Sequence, residues 1–152
     1  MSVTIRQAEE NDRDRIVLFN QALARETEGR ALERATLKAG VARMLSDPGR
    51  GRYFVAEDEG GIVGQLAVTV EWSDWRNAEI WWIQSIYVAR SHRRQGMYRR
   101  LHLHVRDMAR ANRVAGLRLY VEQDNESARA TYESLEMQQS SYLMYEEYFP
   151  GS

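Results

Sequence analysis

The run from Glu79 to Leu101 constrains the fold most. Its first part, EIWWIQSIYV, is apolar or aromatic at most positions and lacks clean alternation, as expected of a central strand covered on both faces. It passes into a basic turn, Ala89 to Gly96, and then into a helix predicted from Met97. A strand feeding a helix N-terminus makes an anion site. First-turn N–H groups have no partner inside the helix, and the helix dipole favours negative charge there. Gly96 lets the backbone approach a phosphate where a side chain would block it. The expected ligand is a phosphorylated cofactor.

At 152 residues the chain is expected to form a single domain, 1–152, large enough for a real core. Hydrophobic residues at 43% and charged residues at 28% give the balance of an ordinary soluble protein. No apolar run is long enough to cross a bilayer, and MSVTIRQAEEND lacks a signal peptide's apolar region. The expectation is therefore no membrane partner and a cytoplasmic location. Cysteine is absent, which excludes disulfides, thiolate metal ligands and a cysteine nucleophile.

Charge is near balance overall but unevenly placed. Arg90 to Arg118 holds nine arginines and one acid, Asp107, whereas Glu122 to Glu147 holds seven acids and one arginine, Arg129. A local basic stripe on a near-neutral chain suits a small polyanion better than a nucleic-acid duplex, so no nucleic-acid partner is expected. Arg106, Arg110 and Arg113 fit a solvated helix face, which leaves ligand binding to the arginines beside Gly96.

The remaining elements follow from periodicity and breakers. Val3 to Arg6 has strand character, and Asn11 is expected to cap a helix bearing Ile16, Phe19 and Leu23. A second helix, roughly 31 to 46, stops at Asp47-Pro48-Gly49. Tyr53 to Ala56 and Ile62 to Trp72 form a hairpin about Gly60-Gly61. Ser73 to Asn77 connects to the central strand. After the basic helix come a strand, LRLYVE, a helix capped by Asn125, and a strand-like run from Ser141 to Tyr148. The order β-α-α-β-β-β-α-β-α-β predicts an α/β fold: a mixed, mostly antiparallel sheet with helices on both faces.

This order, with its motifs, resembles the GNAT superfamily of acetyl-CoA-dependent N-acetyltransferases along essentially the whole chain. The superfamily's Arg/Gln-x-x-Gly-x-Gly/Ala signature is matched by Arg93-Arg94-Gln95-Gly96-Met97-Tyr98, except that Tyr98 replaces the final glycine or alanine. Downstream, Asn125, Ala128 and Tyr132 match Asn-x-x-Ala-x-x-x-Tyr on the helix after the fifth strand. The resemblance implies acetyl-CoA gripped by Arg93, Arg94, Gln95, Gly96, Met97, Tyr98 and Arg99. It also implies a pantetheine arm paired with the main chain of Ile86, Tyr87 and Val88, and further contacts from Asn125, Ala128 and Tyr132.

It also implies Tyr132 as general acid, since a phenol with a reference pKa of about 10 stays protonated at neutral pH. The competing reading places Tyr132 in the core beside Ala128 and Leu135, and Asn125 as a plain helix cap. A base must take a proton from the amine; Glu71 and Glu79 are the candidates, each with a plain reading as a strand-end acid. At the point on the fourth strand where some superfamily members carry glutamate, this chain has Trp82. Trp72, Trp75, Trp81 and Trp82 could hold a cationic amine. Alternatively Trp81 and Trp82 are core, and Trp72 and Trp75 pack across the hairpin. His92, His102 and His104 lack metal-like spacing, so no metal site is expected.

The expected function is transfer of acetyl from acetyl-CoA to a primary amine, small-molecule or peptide, by direct attack in a ternary complex. The alternative is a non-catalytic acyl-CoA-binding or sensing module. A third reading, nucleic-acid binding through the arginine stripe, would make affinity fall steeply with salt. Amino acid, polyamine, aminoglycoside and protein terminus all remain open as acceptors, and a homodimer is compatible with the sequence.

Overall fold

The computed structural model describes residues 2–151. The chain divides into two compact units, one ending at Leu119 and the other starting at Tyr120.

The first unit is built on one five-stranded sheet. Its strands are β1 (Thr4–Gln7), β2 (Gly51–Asp58), β3 (Gly61–Ser73), β4 (Ala78–Val88) and β5 (Gly116–Arg118), in spatial order β1-β2-β3-β4-β5. The first four pair antiparallel, and β5 runs parallel to β4. A parallel neighbour needs a crossover, which the helix α3 (Met97–Ala111) supplies.

Two further helices, α1 (Arg13–Glu28) and α2 (Arg34–Ser46), lie between β1 and β2 in sequence. Successive strand residues point to opposite faces, and β2 shows what each face meets. Tyr53 packs with Ile16 and Val17 of α1 and Val41 of α2, whereas Phe54 packs with Met97, Leu101 and Val105 of α3. Thus α1 and α2 cover one face and α3 the other.

The start of α1 differs from expectation. Asn11 lies in a short turn of 3-10 helix, and Asp12, buried, occupies the cap position. The Asp12 carboxylate bonds no amide of α1; it accepts from the Glu9 amide at 2.7 Å and from Arg6 of β1 through two bonds of 2.8 and 2.9 Å. That pair holds the Asp12 carboxyl below the usual carboxylate range. The second helix begins at Arg34, where the Glu33 side chain accepts from the Thr36 amide at 3.1 Å.

β5 is shorter than LRLYVE suggested, ending at Arg118. In the second unit Asn125 caps α4 (Glu126–Ser134), accepting from the Ala128 amide at 3.1 Å. The run from Ser141 to Tyr148 forms no strand; its composition favours β structure, but a strand needs a ladder partner, and none is present among the described residues.

Candidate active site

The site is organised by an irregularity in β4. Gln65 of β3 faces Tyr87 and Ala67 faces Gln84, so Ser85 and Ile86 of β4 oppose the single residue Leu66. This is a β-bulge, and Ser85 carries the left-handed backbone it requires, with φ of 53°. One extra residue switches the side-chain alternation. Trp82 and Gln84 share the α1/α2 face with Thr69 and Ala67, but beyond the bulge it is Tyr87 that meets Phe19 of α1, at 5.0 Å between ring centres. Ile86 and Val88 pack on the α3 core instead.

The other edge of β4 opens at the same place. β5 pairs with Ile80, Trp81 and Trp82 only. From Ile83 onward that edge has no ladder partner among the described residues.

The loop that follows leads to the start of α3. His92 ties it to the β2–β3 turn through a 2.8 Å contact with Asp58. Arg94 and Gly96 both adopt left-handed backbone, with φ of 62° and 73°. Nothing lies within 4 Å of a Cβ built on Gly96, so the glycine borders open space. No side chain caps the helix, and Arg100 is the first residue whose amide bonds back, to the Gly96 carbonyl at 3.1 Å. The amides of Met97, Tyr98 and Arg99 therefore face out of the helix end. Arg94 and Arg99 have no ion-pair partner among the described residues. Exposed amides, an open glycine and two uncommitted guanidiniums suit a diphosphate. Gln95 donates to the Ser91 carbonyl at 3.2 Å, bracing the loop.

Tyr98, where glycine or alanine is usual, turns back along its own helix. Its hydroxyl lies 2.8 Å from Nδ1 of buried His102, one turn on, and clears the helix end. Arg106 approaches the other ring nitrogen at 3.3 Å. An arginine can only donate, so Nε2 accepts and the ring proton sits on Nδ1. Burial, with Arg106 and Arg99 nearby, lowers the His102 pKa to about 4.

Arg93 is engaged elsewhere. Its Nε donates to the Val88 carbonyl at 2.8 Å, its Nη2 to Glu26 of α1 at 2.8 Å, and it stacks over Tyr87. Glu26 also accepts from the Tyr87 hydroxyl at 2.6 Å, and that bond, with Arg93, holds its carboxyl below the usual range. Glu26 gave no sign of this role in the sequence, because its partners are 61 and 67 residues away.

The two candidate bases lie on opposite faces of the sheet. Glu71 pairs across β3–β4 with Ile80, on the α1/α2 face, and accepts from Trp82 Nε1 and Arg118 Nη1, both at 2.8 Å. Glu79 shares a face with buried Trp81 and accepts from its Nε1 at 3.1 Å. It borders a groove of about 350 Å³ lined also by Arg52, Trp72 and Arg113. Trp81 and Trp82 already carry the chain's own arginines, Arg52 and Arg118, over their rings. Trp81 is core as the plain reading had it, whereas Trp82 is half-buried. Trp72 and Trp75 are 60% and 89% exposed; Trp72 stands opposite Glu79 across the β3–β4 hairpin. Among the described residues no group of three or more histidine or acidic side chains could hold a metal ion, and no helix is long and apolar enough to cross a membrane.

In the second unit Ala128 and Tyr132 fall on one side of α4, half-buried, and burial pushes the Tyr132 phenol above its usual pKa.

The family model for acetyltransferases of the GNAT family matches residues 13–137. The chain belongs to the GNAT acetyltransferase family. A solved structure titled a possible acetyltransferase from Clostridium difficile 630 shares 42% identity and a TM-score of 0.90, covering 98% of this chain and 99% of that one. Ribosomal-protein-alanine N-acetyltransferase from Brucella melitensis biovar Abortus 2308 shares the fold at 18% identity and TM-score 0.79, covering 97% and 99% of the two chains. Glucosamine-6-phosphate N-acetyltransferase from Arabidopsis thaliana does so at 18% and 0.75, covering 98% and 100%. Among curated proteins none matches. As in the family's signature, the glycine motif of this GNAT chain opens the helix after the fourth strand, with Gly96 at its cap.

Proposed function

We propose that this GNAT protein transfers an acetyl group from acetyl-CoA to a primary amine, in the cytoplasm, by direct attack in a ternary complex. The observation that carries the reading is the pairing of an open, basic helix start at Gly96 with an unladdered strand edge beginning at the β4 bulge. A diphosphate suits the first, and an extended amide-bearing arm suits the second.

In this reading the amides of Met97 to Arg99, with Arg94 and Arg99, hold the diphosphate. The backbone of Ile86 to Val88 receives the arm and orients the thioester. Asn125 and Ala128 add cofactor contacts. Glu71 takes a proton from the ammonium, releasing the lone pair that forms the C–N bond. As the C–S bond breaks, Tyr132 gives its proton to the departing sulfur, and the extra proton shed by the new amide nitrogen returns the phenol to its starting form. Its raised pKa keeps the phenol protonated until the sulfur leaves. Glu79 is the second candidate base and serves only if the amine enters from the α3 face.

Thiol release from acetyl-CoA across a panel of amines tests the proposal. Acceptor-dependent release is expected for at least one amine class. Tight CoA binding with no transfer to any acceptor would favour the non-catalytic sensing module instead.

A further inference from the structure

Gln65 is completely buried in the middle of β3, and acetyl transfer as proposed makes no use of it. Its Nε2 donates to the Ser85 carbonyl at 3.0 Å and to Asn20 Oδ1 of α1 at 3.1 Å. A carbonyl only accepts, so the first bond fixes which end of the amide is which. Both amide protons are thereby used. Its Oε1 is buried with no hydrogen-bond partner, a cost that a leucine or methionine at this position would not carry. Packing alone does not account for a glutamine here.

What Gln65 holds is the bulge. At Ser85 the β3–β4 ladder breaks register, and the residue keeps a left-handed backbone without being glycine. Such a conformation persists only where its surroundings over-determine it. Gln65 takes the Ser85 carbonyl on one side and reaches the rigid α1 helix through Asn20 on the other. Asn20 is itself buried. The bulge is thus tied to two other elements by side chains.

We infer that Gln65 is a positioning residue: by clamping the Ser85 carbonyl to α1 through Asn20, it sets the direction in which the backbone of Ile86 to Val88 meets the acyl-pantetheine arm. This role rests on the acetyl-CoA reading above. It separates two halves of the cofactor grip. The α3 helix start holds the nucleotide diphosphate without Gln65, whereas the strand edge depends on it.

The test is calorimetry of wild type, Gln65→Met and Asn20→Ala with two probes, acetyl-CoA and 3′-phosphoadenosine 5′-diphosphate, which keeps the diphosphate and lacks the arm. Gln65→Met is expected to weaken acetyl-CoA binding about tenfold, the worth of one lost hydrogen bond at the upper end of its range. It should leave binding of the arm-free nucleotide within about twofold. Asn20→Ala should show the same split at smaller size, and it keeps the proposal testable if Gln65→Met fails to fold. Equal loss for both probes, or no loss for either, would overturn the role. Failure of the wild type to bind acetyl-CoA would overturn the acetyl-CoA reading itself, and this role with it.

Discussion

Arg118 of β5 reaches past β4 to donate to Glu71 of β3 at 2.8 Å, closing an ion pair over the face that α1 and α2 cover. Trp82 completes the contact from β4. The candidate base is therefore held in a set orientation by two donors, with each oxygen occupied. Taking a proton requires one of those contacts to yield when the amine arrives. With Glu71 as base, Glu71→Gln should lower kcat/KM roughly 10²–10⁴-fold at neutral pH. The ascending limb of the pH–rate profile should move toward the free amine's own pKa, because only amine already neutral could attack. An unaltered profile would transfer the role to Glu79 or to water.

Gly96 faces a different demand. Its φ of 73° suits glycine, and a Cβ there would project into open space at the helix start. Gly96→Val should cost about 1–2 kcal/mol through backbone strain and should abolish CoA binding measured by calorimetry. Losing Arg94 alone should weaken binding more modestly, since the amide donors survive. Full CoA affinity in Gly96→Val would remove the α3 start from the cofactor site.

Tyr132→Phe separates a catalytic phenol from a packing one. As general acid its loss should reduce kcat by roughly 10²–10⁴-fold with little change in acetyl-CoA affinity. A lower Tm with normal turnover would return Tyr132 to the core of its unit.

His102 gives the fold an acid-sensitive point. Its folded pKa, about 4, lies below the 6.5 of an unperturbed histidine, so between those values the unfolded chain binds more protons. The neutral ring adds no pH dependence above about 6.5. Stability should decline as pH falls from there toward 4, by about 2–3 kcal/mol from this group. His102→Gln should flatten that part of the Tm–pH curve. A curve of unchanged slope in the variant would show that other groups carry the acid response.

Much of this molecule was legible locally. The order of elements followed from apolar periodicity and from breakers such as Pro48, Gly60 and Gly61, which act within a few residues of themselves. The basic loop before α3 was legible for the same reason: a helix start, a glycine and neighbouring arginines are consecutive. Asn125 read correctly as a cap because a cap reaches only three residues ahead.

The tertiary structure decided whatever depends on distant residues meeting. The bulge at Ser85 needs Gln65, 20 residues earlier, and Gln65 needs Asn20, a further 45 back. Arg93 turns to Glu26 across 67 residues. The placement of Glu71 and Glu79 on opposite faces is a matter of strand register, which one slipped residue would invert. Sequence determined that this chain has a glycine-marked, arginine-rich helix start after a central strand. Only the packed sheet, by breaking its ladder at one residue and clamping the break from another strand, decided how that strand presents its edge.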